Sequence, residues 1–120
     1  MTQHHWKDLV VWQKAHLLVI EIYTITNLFP ESEKYNLTSQ IRRAITSVPT
    51  NIVEGHDRHS TNEFIHFLYI SRGSLEEVRY LLLLSRDLKY IDEEVYNKTE
   101  LNCSEISKMI NKLIQSIKKI

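Results

Sequence analysis

Turn-forming residues are scarce in this chain. Its 120 residues include only two glycines and two prolines. Antiparallel sandwiches and barrels place turn signals about every 8–12 residues, a demand this sequence does not meet, which argues against an all-β fold. Cysteine is scarcer still. Cys103 stands alone, so no intrachain disulfide can form, and a reducing, cytoplasmic location is the simple reading. A surplus of one charge is also lacking: Lys and Arg total 15, Asp and Glu total 15, and the formal net charge is zero. Proteins that hold nucleic acid by bulk electrostatics are basic overall, so any such role here rests on a local patch. Neutrality weakens colloidal repulsion and suits self-association. Long apolar runs are missing too. The N-terminal stretch is interrupted by charge and reads as neither a signal peptide nor a membrane span.

What is present is helical periodicity. Hydrophobic residues make up 42% and charged residues 25%, as in a globular domain. With no linker, repeat or low-complexity segment, residues 1–120 read as one domain of four helices, at about 8–29, 37–55, 60–89 and 92–119. In the first, Trp12, Ala15, Val19, Ile22 and Thr26 keep a 3–4 spacing, Asp8 is the expected N-cap, and Pro30 ends the run. The second carries Ile41, Ala44, Ile45, Val48 and Ile52 on one face. Pro49 sits inside it, predicting a kink or short break, and Gly55 is placed just past its end. The third opens on Ser60-Thr61-Asn62-Glu63, which has capping-box spacing. Gly73 interrupts it, as a glycine at a close helix crossing does. Asp92 caps the fourth, where Ile106, Ile110, Leu113 and Ile117 follow heptad spacing. Four amphipathic helices with short loops imply an all-α, antiparallel up-down-up-down bundle, with helix two kinked near Pro49. Leu81 to Leu84 cover every side of helix three, an apolar excess that predicts a homo-oligomer.

Catalytic chemistry finds little support. His56-x-x-His59 and His4-His5 have no C-x-x-C or H-E-x-x-H companion. Glu63-x-x-His66 has di-iron spacing but occurs once, and Glu63 already serves the capping box. Cys103 reads as a small, semi-buried apolar residue. No nucleophile elbow, phosphate-cradling glycine loop or dinucleotide fingerprint is present. The sequence therefore predicts no enzyme, no catalytic residue, no metal site and no cofactor.

Two polar patterns remain. Gln40, Arg43, Ser47, Asn51 and Glu54 form a stripe on helix two. Its composition fits either a solvated face or a partly buried hydrogen-bond network that sets helix register. Arg72, Arg79 and Arg86, seven residues apart, lie along helix three, and Arg42 and Arg58 can join them. Such a line can track a phosphate backbone, or can be solvent-facing charges paired with Glu76 or with partners across an interface. Tyr69, Tyr80 and Tyr90 are candidates for stacking on bases or for ordinary packing.

Several stretches in order carry a resemblance: WKDLVVWQKAH from Trp6, LFPESEKYNLTSQIRRA from Leu28, SVPTNIVEG from Ser47 and FLYISRGSLEEV from Phe67. Together they resemble the small bacterial four-helix bundle proteins encoded in intervening sequences of 23S ribosomal RNA genes. The resemblance implies a ring-like homopentamer associated with ribosomal RNA. The chain is also similar to the accessory variability determinant proteins of diversity-generating retroelements, pentamers that bind a reverse transcriptase and nucleic acid through a basic surface. It departs from them in lacking net positive charge. The expectation is a non-enzymatic oligomer that contacts structured RNA through Arg42, Arg58, Arg72, Arg79 and Arg86. The alternative is an adaptor that binds a protein such as a reverse transcriptase without touching RNA. Gln40, Arg43, Asn51, Glu54, Gly55, Gly73 and Ser74 match the family pattern, which assigns them no catalytic role.

Overall fold

The computed structural model describes residues 5–119. Four α-helices occupy most of it: α1 (Val10–Thr26), α2 (Leu37–His56), α3 (Thr61–Asp87) and α4 (Glu93–Lys118). Short 3-10 turns at Trp6–Asp8 and Glu31–Glu33 precede α1 and α2. No strand occurs among the described residues.

The local chemistry explains most boundaries. Ser60 Oγ accepts from the Glu63 amide at 3.2 Å and starts α3. Asp92 Oδ1 accepts from the Val95 amide at 2.8 Å and starts α4. Each satisfies an amide that the first helical turn leaves without a partner. α3 ends in a Schellman arrangement: the Tyr90 amide donates to Ser85 O and the Lys89 amide to Arg86 O, both at 2.9 Å. Lys89 takes the left-handed position with φ 67°, where glycine is usual.

Three local expectations are corrected. Asp8 is not the α1 cap. It closes the 3-10 turn, and extended Leu9 occupies the cap position with no side-chain bond. Gly55 lies within the last turn of α2 rather than beyond it, and no glycine among the described residues has positive φ. Its role is steric, since an added Cβ would come 2.7 Å from Phe67 Cβ of α3. Gly73 makes no close crossing, because a Cβ there meets nothing within 4 Å. The tight approach belongs to Gly55. α2 itself runs through Pro49 without a break, with Val48, Pro49 and Ile52 all buried. Tertiary packing of that face holds the segment helical despite the missing amide.

Cross-helix bonds set the topology. Ser47 pairs with Ser74, and Ser71 Oγ donates to Val48 O, so α2 and α3 run in opposite directions. Arg72 reaches Asn111 while Arg79 reaches Glu100, which orients α4 against α3. Lys14 reaches Glu105 while Glu21 accepts from Thr99 and Asn102, which orients α1 against α4. Helix contacts run α1–α2–α3–α4 and back to α1, with no diagonal packing. The bundle measures 49 × 24 × 20 Å.

The axis of the bundle is apolar. Ala15, Leu18 and Ile22 of α1 meet Ile41, Ile45, Val48 and Ile52 of α2, Leu68, Leu75, Val78 and Leu82 of α3, and Cys103, Ile106, Ile110 and Ile114 of α4. Removing these side chains from water is the main force that holds the helices together. Cys103 is fully buried rather than semi-buried, and burial pushes its thiol pKa up to about 12. The Leu81–Leu84 run is also absorbed within one chain: Leu81 and Leu82 are buried, Leu83 and Leu84 half-buried. The apolar residues left in water lie elsewhere, among them Leu17, Ile20 and Leu28 near α1, Ile70 and Tyr80 on α3, and Leu101 on α4.

Candidate functional site

The five arginines singled out in the sequence do not form one surface. Arg72, Arg79 and Arg86 line the α3–α4 seam, each turned toward α4. Arg79 Nε and Nη2 donate to Glu100 Oε1 at 2.9 and 2.6 Å, and its Nη1 donates to Glu76. The Glu100 carboxylate raises the Arg79 pKa further. Arg86 contacts Asp87 and Glu93, and its guanidinium sits 4.6 Å above the Tyr96 ring. Arg72 donates to Asn111 Oδ1 at 2.7 Å and lies over Tyr69. Arg58, past the end of α2, contacts Glu54 and covers Phe67. Arg42 is on the opposite seam, between α2 and α1.

Charge balance separates these residues. Arg79, Arg86 and Arg58 each meet a carboxylate, which cancels their field locally. Arg42 instead holds neutral groups: Thr26 Oγ1 at 2.8 Å, Asn27 Oδ1 at 3.0 Å and Tyr23 O at 3.3 Å. Its guanidinium also lies 4.5 Å over the Tyr23 ring. The side chain is therefore fixed in place with its charge uncancelled. Arg43, one residue on, is exposed and makes no ion pair among the described residues.

These two arginines flank an open groove of about 690 Å³ on the outer face of α2. Lys34, Tyr35 and Tyr23 complete its rim, and the hydroxyls of Thr38, Ser39, Thr46 and Thr50 line it. No carboxylate belongs to the lining. Thr38 Oγ1 in its wall is, among the described residues, the one buried side-chain polar atom without a hydrogen-bond partner. The Thr46 and Thr50 hydroxyls donate to Arg42 O and Thr46 O at 2.7 Å, and Lys34 lies 3.9 Å from Glu31, so it is Arg42 on its neutral anchors and Arg43 beside it that suit an anionic ligand.

The stripe on helix two divides in the same way. Asn51 Nδ2 donates to both Ser47 O and Ser47 Oγ at 2.8 Å, and Ser47 bonds Ser74 at 2.9 Å. Gln40 donates to Glu77 at 3.3 Å. Gln40 and Ser47 thus cross-link α2 to α3 and Asn51 braces Ser47 from within α2, while Glu54 turns to Arg58 and Arg43 to the groove. Of the tyrosines, Tyr90 donates to Glu33 at 2.8 Å and packs on Phe29, and Tyr69 accepts from Lys118. The Lys118 ammonium lowers the Tyr69 pKa, and the Glu33 carboxylate raises that of Tyr90. Among the described residues no three His, Cys, Asp or Glu side chains converge as a metal requires. His4 falls outside the described residues. No described helix is long and apolar enough to cross a membrane.

Sequence reasoning passed over Lys34, Tyr35 and Tyr23. The signal available was the E-K-Y segment seven residues ahead of Arg42-Arg43, a short alternation of cation and aromatic.

A model of the 23S rRNA-intervening sequence protein family matches residues 7–112, a span that includes α1 to α3, the groove and α4 as far as residue 112. The chain belongs to this family. A solved structure agrees: a protein of unknown function of the S23 ribosomal protein family from Bacteroides thetaiotaomicron VPI-5482. It superposes with a TM-score of 0.81 at 29% identity, over 88% of this chain and 98% of that one. No curated protein matches the chain. Within this 23S rRNA-intervening sequence protein, the I-R-R-A stretch of α2 supplies Arg42 and Arg43 to the groove, and α1 contributes Tyr23.

Proposed function

We propose that the protein is a non-enzymatic, self-associating bundle that holds RNA through the α1–α2 groove. The observation that carries this is the pair Arg42 and Arg43, which make no ion pair among the described residues, beside Lys34, whose one carboxylate neighbour is Glu31 at 3.9 Å, outside the groove lining. Family membership supplies the RNA context. This reading revises the arginine set: Arg42 contributes directly and Arg43 joins it, whereas Arg58, Arg79 and Arg86 are held by carboxylates. Arg72 keeps a neutral anchor and is a secondary contact.

Self-association has separate support. Gly73 costs about 1 kcal/mol relative to alanine in a helix interior, and no contact within the chain requires it. It sits on an exposed face of α3 with Ile70 and Tyr80, where a second copy can approach closely. Sedimentation at micromolar concentration is expected to show an oligomer; monomer alone refutes this part.

RNA binding is tested by filter binding of a ribosomal RNA fragment across a salt series. Affinity is expected to fall with log salt, and the slope to shrink by about 0.7–0.9 for each phosphate contact removed by Lys34→Ala or Arg43→Ala. Arg79→Ala leaves the slope unchanged. Folded protein that shows no salt-dependent binding at low salt refutes the reading.

A further inference from the structure

The α1 side of the same seam carries a feature that charge does not explain. His5, Trp6, Trp12 and His16 form a continuous ladder of rings. Centroids lie 4.7 Å apart for His5–Trp6, 4.7 Å for Trp6–Trp12 and 5.2 Å for Trp12–His16. The last pair is stacked, with planes 4° apart. His16 is exposed, so its outer face is open. Tyr23 follows seven residues later, close to two full turns, on the same side of α1. The Arg42 guanidinium holds the Tyr23 ring in place. Across the groove Tyr35 is 88% exposed, with the Lys34 ammonium 5.5 Å from its centroid. Aromatic faces thus border Arg42 and Arg43 on both sides, with Lys34, whose ammonium lies 3.9 Å from Glu31, at the rim.

From this juxtaposition we infer that the α1–α2 face takes single-stranded RNA, with phosphates on Lys34, Arg42 and Arg43 and bases on His16, Tyr23 and Tyr35. The inference rests on the proposed RNA reading and narrows its ligand. An A-form duplex keeps its bases stacked inside and offers phosphates and ribose, so exposed rings beside a basic groove gain nothing from it. A single strand offers a π-face at every base, and a positive groove with interleaved aromatics is the arrangement that tracks one. The stripe from Trp12 to Tyr23 spans 11 residue steps, about 16 Å of helix. That length matches about five stacked bases at roughly 3.4 Å each.

Trp6 and Trp12 are the only tryptophans, and both belong to the ladder. Intrinsic emission therefore reports on the proposed contact through Trp12, which stacks on His16. The full chain is titrated at low salt with a ten-nucleotide oligoadenylate, with the same strand annealed to oligouridylate, and with inorganic polyphosphate. The single strand is expected to quench tryptophan emission and to bind about tenfold or more tighter than the duplex. Polyphosphate is expected to bind without quenching. His16→Ala and Tyr35→Ala alter exposed rings outside the core. Each is expected to weaken single-strand binding about tenfold and to leave duplex binding unchanged, whereas Arg43→Ala weakens both alike. Equal affinity for strand and duplex with unchanged emission overturns the inference and leaves the RNA reading standing. So does unaltered strand affinity in both ring variants. Failure of every RNA to bind overturns both. Emission that shifts to the blue with rising protein concentration, without RNA, assigns the face to a second copy and also overturns the inference.

Discussion

Gly55→Ala and Gly73→Ala make the same covalent change in two helices of one bundle, with opposite expected outcomes. Alanine is favoured over glycine in a helix interior by about 1 kcal/mol at either site. At Gly73 a new Cβ meets nothing within 4 Å, so the propensity gain stands alone. At Gly55 it meets Phe67 Cβ at 2.7 Å, Phe64 Cδ1 at 2.9 Å and Phe64 O at 3.3 Å. Carbon atoms rest about 3.5–4.0 Å apart, so roughly 1 Å of displacement is required. The Phe64 ring can swing aside, but Phe67 Cβ is fixed to the α3 backbone, and the two helices must separate. Overpacking of this kind costs about 1–3 kcal/mol, toward the upper end when backbone moves. After the propensity gain, Gly55→Ala is expected to lose about 1–2 kcal/mol and Gly73→Ala to gain about 1 kcal/mol. For a chain of this length 1 kcal/mol moves Tm by about 4 °C. At concentrations where the chain is dissociated, Gly73→Ala should then melt about 4 °C higher and Gly55→Ala about 4–8 °C lower, by calorimetry. Scans at two protein concentrations separate folding from assembly, because only assembly makes Tm concentration-dependent. A Gly55→Ala protein as stable as the parent would refute the steric assignment of that glycine.

Three further outcomes follow from the same coordinates. Thr38→Val removes a buried hydroxyl that has no partner, so urea denaturation should show unchanged or higher stability, by up to about 1 kcal/mol; a loss of that size would mean the hydroxyl is bonded. Lys89→Gly relieves a left-handed lysine at the end of α3 and should stabilise by about 1 kcal/mol, and a destabilised variant would contradict the Schellman assignment. Cys103 should resist thiol reagents until the bundle unfolds. Because burial raises its folded pKa from 9.0 to about 12, the stability linked to it is intact below pH 9 and declines as pH rises toward 12. A Cys103→Ala protein with the same alkaline decline would assign that decline to other groups.

The helices were legible because each apolar face repeats at helical spacing, and because Ser60 and Asp92 are side chains whose capping bonds are local. The errors have equally local causes. Asp8 looked like a cap because a carboxylate before an apolar run reads the same whether a helix or a 3-10 turn follows. The close crossing expected at Gly73 belongs to Gly55, because a glycine's neighbours across a seam, here Phe64 and Phe67, leave no mark near it in sequence. The arginines show the limit most clearly. Arg79 and Arg42 look alike as residues on helix faces, yet Glu100 neutralises one from 21 positions away, while the other is anchored by Thr26, 16 positions away. Only the folded bundle distinguishes a cancelled charge from a held one. Glu21 likewise accepts from Thr99 and Asn102, 78 and 81 positions away, which no local pattern reveals.

The order of the seams around the bundle also has a kinetic consequence. Ser47 and Ser74 meet across 27 residues of chain, whereas Lys14 and Glu105 meet across 91. Loop-closure entropy grows as three-halves of RT times the logarithm of that separation, so joining α1 to α4 costs about 1 kcal/mol more than joining α2 to α3. The α1–α4 contact is also the thinnest of the four seams, closed in part by polar side chains rather than by core packing alone. The α2–α3 hairpin is therefore expected to form early and the α1–α4 seam to close last and reopen first, so hydrogen exchange is expected earliest on α1 and α4 and latest on α2 and α3.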